Sequence, residues 1–251
     1  AMNERLEDGK LPEERSGMMK DLEKNIEEFK NNPNKSIRFV SQEQTICKNG
    51  DLIWVELSIR FHYNAEGDIL STALIRNIED RKKSEEKLKH LSYHDQLTNL
   101  YNRRFYEEEL MRLDTERNLP IALIMADVNG LKLTNDAFGH QEGDKLLKNI
   151  SELFKKVCRS DEIISRIGGD EFVILLPKCN DKQARMLIDR INEAISKARE
   201  TNALLSVSMG YAVKESVHTK MDVVYKEAED DMYRHKLAEN QIGRASCRER
   251  V

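Results

Sequence analysis

The sequence predicts an α/β protein of the α+β kind, in which a central sheet with surrounding helices follows a small antiparallel sheet and a linker helix. Three observations carry that expectation. Residues 37–78 hold three runs of strand-forming residues separated by the turn clusters KNGD and NAEGD, the pattern of an antiparallel meander. Residues 79–95, EDRKKSEEKLKHLSYHD, are highly charged with a sparse apolar seam of Ile75, Ile78, Leu88 and Leu91, as in a connecting helix. Beyond them, apolar runs and 3.6-period patterns alternate in the order β-α-β-β-α-β with extra helices, which calls for a sheet covered by helices.

The elements follow in order. Residues 12–32 form a charged helix with Met18, Leu22, Ile26 and Phe29 on one side. Strands are expected over 37–47, 52–63 and 69–78; in the second, Ile53, Val55, Leu57, Ile59 and Phe61 alternate with Trp54, Glu56, Ser58 and Arg60, so one face is buried. The helix ending at 94 has too short a seam for a self-sufficient coiled coil but is placed for a parallel dimer contact. Then come a helix over 102–117, an apolar strand over 119–128, an amphipathic helix over 139–158 and a hairpin of two short strands within 163–176. A helix over 181–200, a strand over 203–213 and a last helix over 221–238 complete the series. Asp95 and Asn102 are expected to cap or brace, and Met18, Met19, Met125 and Met209 to fill cores.

Composition narrows the function. A chain of 251 residues with 39% hydrophobic content supports one large or two small domains. Lys and Arg number 41 against 45 Asp and Glu, a net charge of −4, so nothing global draws the chain to nucleic acid or an anionic membrane, and any phosphate must be held locally. No apolar run is long enough to span a bilayer and no signal peptide is visible, so a cytoplasmic location is expected, any anchor lying upstream. Cys47, Cys158, Cys179 and Cys247 are scattered, which favours reduced thiols over zinc or disulfides. Residues 242–251, IGRASCRERV, resemble the translation of a sequencing adapter, and the chain opens in mid-pattern, so the natural protein is expected to extend both ways.

The chemistry is expected at the hairpin ISRIGGDEFVILL, residues 164–176. Gly168-Gly169 supplies a tight turn, but hairpin geometry does not ask for Asp170 and Glu171 to follow. Two readings are open: a solvated acidic turn, or carboxylates held rigidly for a hard divalent cation. Asp127 closes the apolar strand where the sheet meets solvent. If that strand lies beside the hairpin, Asp127, Asp170 and Glu171 converge and repel unless a cation neutralises them. Mg²⁺, or Mn²⁺ in its place, completes its octahedron with waters and substrate phosphates, so a nucleotide is the implied ligand.

Four ordered motifs then carry a resemblance. GGDEF (168–172) is the signature of the GGDEF family of diguanylate cyclases, and DQLTNLYNRR (95–104), DVNGLKLTNDAFGHQEGD (127–144) and DDMYRHK (230–236) resemble its other motifs. The resemblance implies a fold akin to nucleotidyl cyclase and polymerase palm domains over 95–241. It implies condensation of two GTP into cyclic di-GMP and two pyrophosphates across a homodimer, with the helix over 79–94 as its lever. Asp127, the carbonyl of Val128, Asp170 and Glu171 would hold the metal, with Asp170 also the family's assigned proton acceptor and Lys132 offsetting phosphate charge. Asn135 and Asp144 match guanine-reading positions, His140 a third substrate contact and Lys236 a phosphate contact, and Gly168 and Gly169 are expected among the substrate-binding residues. An arginine of the family stands as Asn240 here. The family's product-feedback motif, Arg-x-x-Asp, reads Arg159-Ser160-Asp161-Glu162, so weak product inhibition through Arg159 and Glu162 is expected. The alternative is an inactive domain that binds GTP or cyclic di-GMP and signals. Residues 1–78 resemble the C-terminal half of a PAS sensory domain through KNGD…W and the degraded exit NIEDRK; a sheet with no ligand stays open beside a sensor.

Overall fold

The structure, a computed structural model, describes residues 12–32, 38–200 and 204–248, with side chains for 20–32, 38–200 and 204–238. The chain divides into two compact units, Ala1–Lys89 and His90–Val251.

In the first unit, helix α1 (Pro12–Asn31) precedes strands β1 (Arg38–Ile46), β2 (Leu52–Tyr63) and β3 (Ile69–Asn77), an antiparallel meander in that order. The alternation in β2 has the expected result: Val55, Leu57, Ile59 and Phe61 are buried, and Phe29 of α1 packs with Phe39, Leu57, Ile59 and Phe61. Helix α2 (Glu79–Tyr93) buries none of its side chains. Its first turn is tied to β2, where the Glu79 carboxylate accepts from Trp54 N (2.9 Å) and Lys82 lies 4.9 Å over the Trp54 ring. That backbone hydrogen bond is the main reason the Glu79 pKa is lowered.

The second unit holds a five-stranded sheet of order β4-β6-β7-β5-β8, with β4 (Tyr101–Asn102) parallel to β6 (Ile163–Arg166) and the remaining pairs, among β7 (Glu171–Leu176), β5 (Ile121–Val128) and β8 (Val207–Lys214), antiparallel. Every residue of β5 is buried, because both sheet faces are covered. On one face Ala122, Ile124, Phe172 and Ile174 pack against α5 (His140–Val157) and α6 (Asp181–Arg199); on the other Leu123, Met125, Val173 and Leu175 meet α3 (Arg103–Leu113) and α7 (Met221–Arg248). The period-2 alternation of the strands thus distributes two cores, and the apolar stripes of the helices close them. Phe172 stands edge-on to Phe154 of α5 at 5.6 Å, which anchors the hairpin to that helix.

Met125 and Met209 are core residues as expected, and the Asn102 side chain caps α3 by accepting from Phe105 N at 3.1 Å. The helix expected over 102–117 ends earlier, at Leu113, where Asp114 turns away to pair with the buried Lys214, and a 3₁₀ turn, Glu116–Asn118, follows. A helix not anticipated, α4 (Leu131–Phe138), fills the stretch between Gly130 and Gly139. The last helix runs past residue 238 to Arg248. The side chains of Met18, Met19, Asn240 and Cys247 lie outside the described residues. Among the described residues no helix is long and apolar enough to cross a membrane.

Candidate functional site

Register brings the acids together. Asp127, last but one in β5, pairs with Glu171 at the start of β7 and with Ser208 of β8. Asp170 precedes β7 in the turn, where its carbonyl accepts from Val128 N at 2.9 Å. The Val128-Asn129 corner is held from the other side too: Asn129 N donates to Ser206 O (2.9 Å), and its amide nitrogen to the Ser206 and Ser208 hydroxyls (3.1 and 2.9 Å). The strand end that carries Asp127 is therefore fixed by both neighbours.

Asp127 is buried, and its Oδ1 accepts from Lys236 Nζ of α7 at 2.7 Å. The lysine expected at a phosphate thus sits on the acid expected at the metal. Among the described residues no three His, Cys, Asp or Glu side chains gather closely enough to cage a metal ion. The structure therefore joins Asp127 and Glu171 by register, and Asp170 to them only through its backbone, because it lies in the turn outside the paired residues. The donor set still suits a hard cation: it is all oxygen, and the buried carboxylate already draws a positive charge to itself.

The remaining positions expected at the substrate lie on a hairpin of two helices. Lys132 and Asn135 are on α4, His140 begins α5, and Asp144 follows one turn later; Lys132, His140 and Asp144 are exposed. Asn135 Oδ1 is buried with no hydrogen-bond partner. It points at Gly143, where a Cβ would lie 2.0 Å from it, so only glycine leaves room for that amide beside Asp144. A buried, unsatisfied carbonyl next to an exposed carboxylate is an arrangement that awaits hydrogen-bond donors.

Sequence reasoning missed Arg166. Its Nε and Nη2 donate to the Gly169 carbonyl (3.1 and 2.7 Å), and its Nη1 to Asp95 Oδ1 (3.0 Å). That same oxygen accepts from Thr98 N (2.9 Å) and Thr98 Oγ1 (2.7 Å). Burial alone would raise the Asp95 pKa, but the Thr98 and Arg166 hydrogen bonds outweigh it and leave the pKa lowered. The signal available was a lone cation at the end of a short, largely buried strand.

Arg159 and Glu162 line a cavity of about 380 Å³ with Cys179, Gln183 and Arg190. Glu162 is already engaged, since it accepts from Arg159 N at 2.6 Å. Arg190, on α6, was also missed, because one arginine on an amphipathic helix reads as solvent face; it donates to the Val157 carbonyl at 2.5 Å. Burial pushes the nearby Cys158 thiol up to about 12 and Cys179 to about 11, which fits unreactive thiols.

A helix-covered sheet whose central antiparallel strands end in opposed carboxylates at a glycine turn defines a domain of the nucleotidyl-cyclase and palm type. Residues 92–241 match the family model described as "Diguanylate cyclase, GGDEF domain", and the chain belongs to that family. DgcM of Escherichia coli K12, a diguanylate cyclase, is 32% identical over 176 residues, which are 68% of this chain and 42% of that protein. DgcE of the same strain, named a probable diguanylate cyclase, is 35% identical over 156 residues, 60% of this chain and 14% of that protein. The chain therefore spans less than half the length of these relatives. The coiled coil and GGDEF domain of DgcB from Caulobacter crescentus, crystallised with c-di-GMP, aligns at a TM-score of 0.58 and 26% identity over 64% of this chain and 89% of that one.

Proposed function

We propose that the chain is a diguanylate cyclase that condenses two GTP into cyclic di-GMP and two pyrophosphates. The pairing of Asp127 with Glu171 at the Gly168-Gly169 turn supports this reading. Asp127, the Val128 carbonyl, Asp170 and Glu171 would hold Mg²⁺ or Mn²⁺, which when bound activates an attacking hydroxyl and stabilises a leaving oxygen. Lys132 and Lys236 neutralise phosphate charge, Asn135 and Asp144 read guanine, and His140 adds a contact at the start of α5. One GTP per protomer cannot cyclise alone, so two copies face each other in a homodimer, with α2 as the lever that brings them together and the N-terminal sheet as its regulator. Incubation with GTP and Mg²⁺, followed by chromatography and mass spectrometry, tests the reading: cyclic di-GMP is the expected product, and GTP bound without turnover would select a binding module instead.

Guanine selectivity is assigned to Asp144, whose carboxylate accepts from N1–H and the exocyclic amine, a donor pair adenine lacks. Asp144→Ser is expected to narrow the GTP-over-ATP preference by about tenfold or more. A competition assay with both nucleotides measures it, and an unchanged ratio contradicts the assignment.

The cavity at Arg159, Glu162 and Arg190 is the proposed product site. Because Glu162 is spent on Arg159 N, inhibition by cyclic di-GMP is expected to be weak and to vanish in Arg159→Ala while synthesis continues. Inhibition curves for the two proteins decide this, and strong inhibition surviving the change would place feedback elsewhere.

A further inference from the structure

The ion pair between Lys236 and Asp127 carries a consequence beyond phosphate binding. Its 2.7 Å contact uses a carboxylate oxygen whose side chain is only 9% exposed, while the lysine side chain is 33% exposed. The helix beneath that lysine is fixed along β8. Gly210 brings the two so close that a Cβ there would lie 1.9 Å from Met232 N; Asp231 accepts from Tyr211 N (3.1 Å), and His235 Nδ1 donates to the Met209 carbonyl (2.6 Å). The helix backbone is thus tied to β8 just before 236, and the flexible four-carbon stem is what carries the ammonium.

We propose that Lys236 is an exchangeable counter-ion: its ammonium neutralises Asp127, yields that oxygen to a divalent cation, and is thereby released to the phosphate that arrives with the cation. This rests on the metal assignment made under the proposed function. The acids at the strand ends need a positive charge to be tolerated where they lie. An ammonium and a divalent cation on one carboxylate oxygen repel at close range, so they compete for it. Cation and nucleotide then bind cooperatively, since the first frees the ligand of the second.

A lysine that serves only the phosphate would leave binding of the bare cation untouched, whereas a counter-ion opposes it. Mn²⁺ is titrated into the full chain without nucleotide and followed by electron paramagnetic resonance, and a non-hydrolysable GTP analogue is titrated separately. Lys236→Met is expected to bind Mn²⁺ about three- to tenfold more tightly and the analogue more weakly. Lys236→Gln, which keeps a polar hydrogen-bonding end without the charge, repeats the test against loss of fold, and melting curves confirm that each variant is folded. Mn²⁺ binding that is unchanged or weaker in a folded Lys236 variant overturns the proposal. Asp127→Asn separates the two levels: if it leaves Mn²⁺ binding intact, the metal assignment itself falls; if it abolishes binding while the Lys236 variants fail to strengthen it, only the counter-ion role falls.

Discussion

Replacing Asp127 or Glu171 by alanine is expected to lower synthesis of cyclic di-GMP by on the order of a hundredfold or more while the protein stays folded. The two acids face each other across the β5–β7 pair, so either change removes an oxygen donor from the place where the metal is assigned. Neither removes a core contact. The Asp127 carboxylate is spent on Lys236, whose side chain is one-third exposed and can turn its ammonium to water when the partner is lost. Glu171 is half-buried, with its carboxylate against Gly168. Product analysis and thermal melting, run together on each variant, check the expectation. Undiminished synthesis in either would remove that residue from the metal set, and a melting temperature lowered by ten degrees or more would reassign it to the fold.

Gly210→Ala is expected to be the more damaging change to stability, by about 2–4 kcal/mol. A Cβ at 210 would lie 1.9 Å from Met232 N, 2.5 Å from its Cα and 2.6 Å from the Asp231 carbonyl carbon. All three are helix backbone atoms, so no rotamer change can relieve the overlap, and α7 must lift from β8. Lifting it strains the Asp231 and His235 hydrogen bonds and withdraws Lys236 from the acids. A fall in melting temperature of about 5–10 °C is expected for a domain of this size, and a melt within a degree of the parent would mean that the helix shifts freely.

The sequence made legible whatever repeats along it. The apolar run of β5 and the hairpin carrying GGDEF were visible because burial on both faces leaves no polar gaps, and α5 and α6 because their stripes recur every three to four residues. Asp127 stood out as an acid at the end of such a run. What stayed hidden was made by contacts between distant positions. Lys236 meets Asp127 across 109 residues, and Arg190 reaches the cavity beside Arg159 from a helix whose own pattern says only that it is amphipathic. Helix α4 escaped because eight residues between two glycines show too few turns for a period to emerge. Gly143 lay inside a motif already noticed, but its reason, the space taken by Asn135, exists only in three dimensions.

Arg166 bonds at once to the Gly169 carbonyl and to Asp95, so that the turn depends on two positions, 95 and 166, that lie 71 residues apart. Mutational drift at the two is therefore not independent. A chain that loses the acid at 95 leaves a guanidinium, only 13% exposed on its side chain, without its anion; one that loses the arginine leaves the glycine turn unbraced and the acid short of a donor. Each single step is penalised, so descendants of this sequence should keep both residues or exchange both, and the acid turn evolves at the pace of a residue that lies outside it.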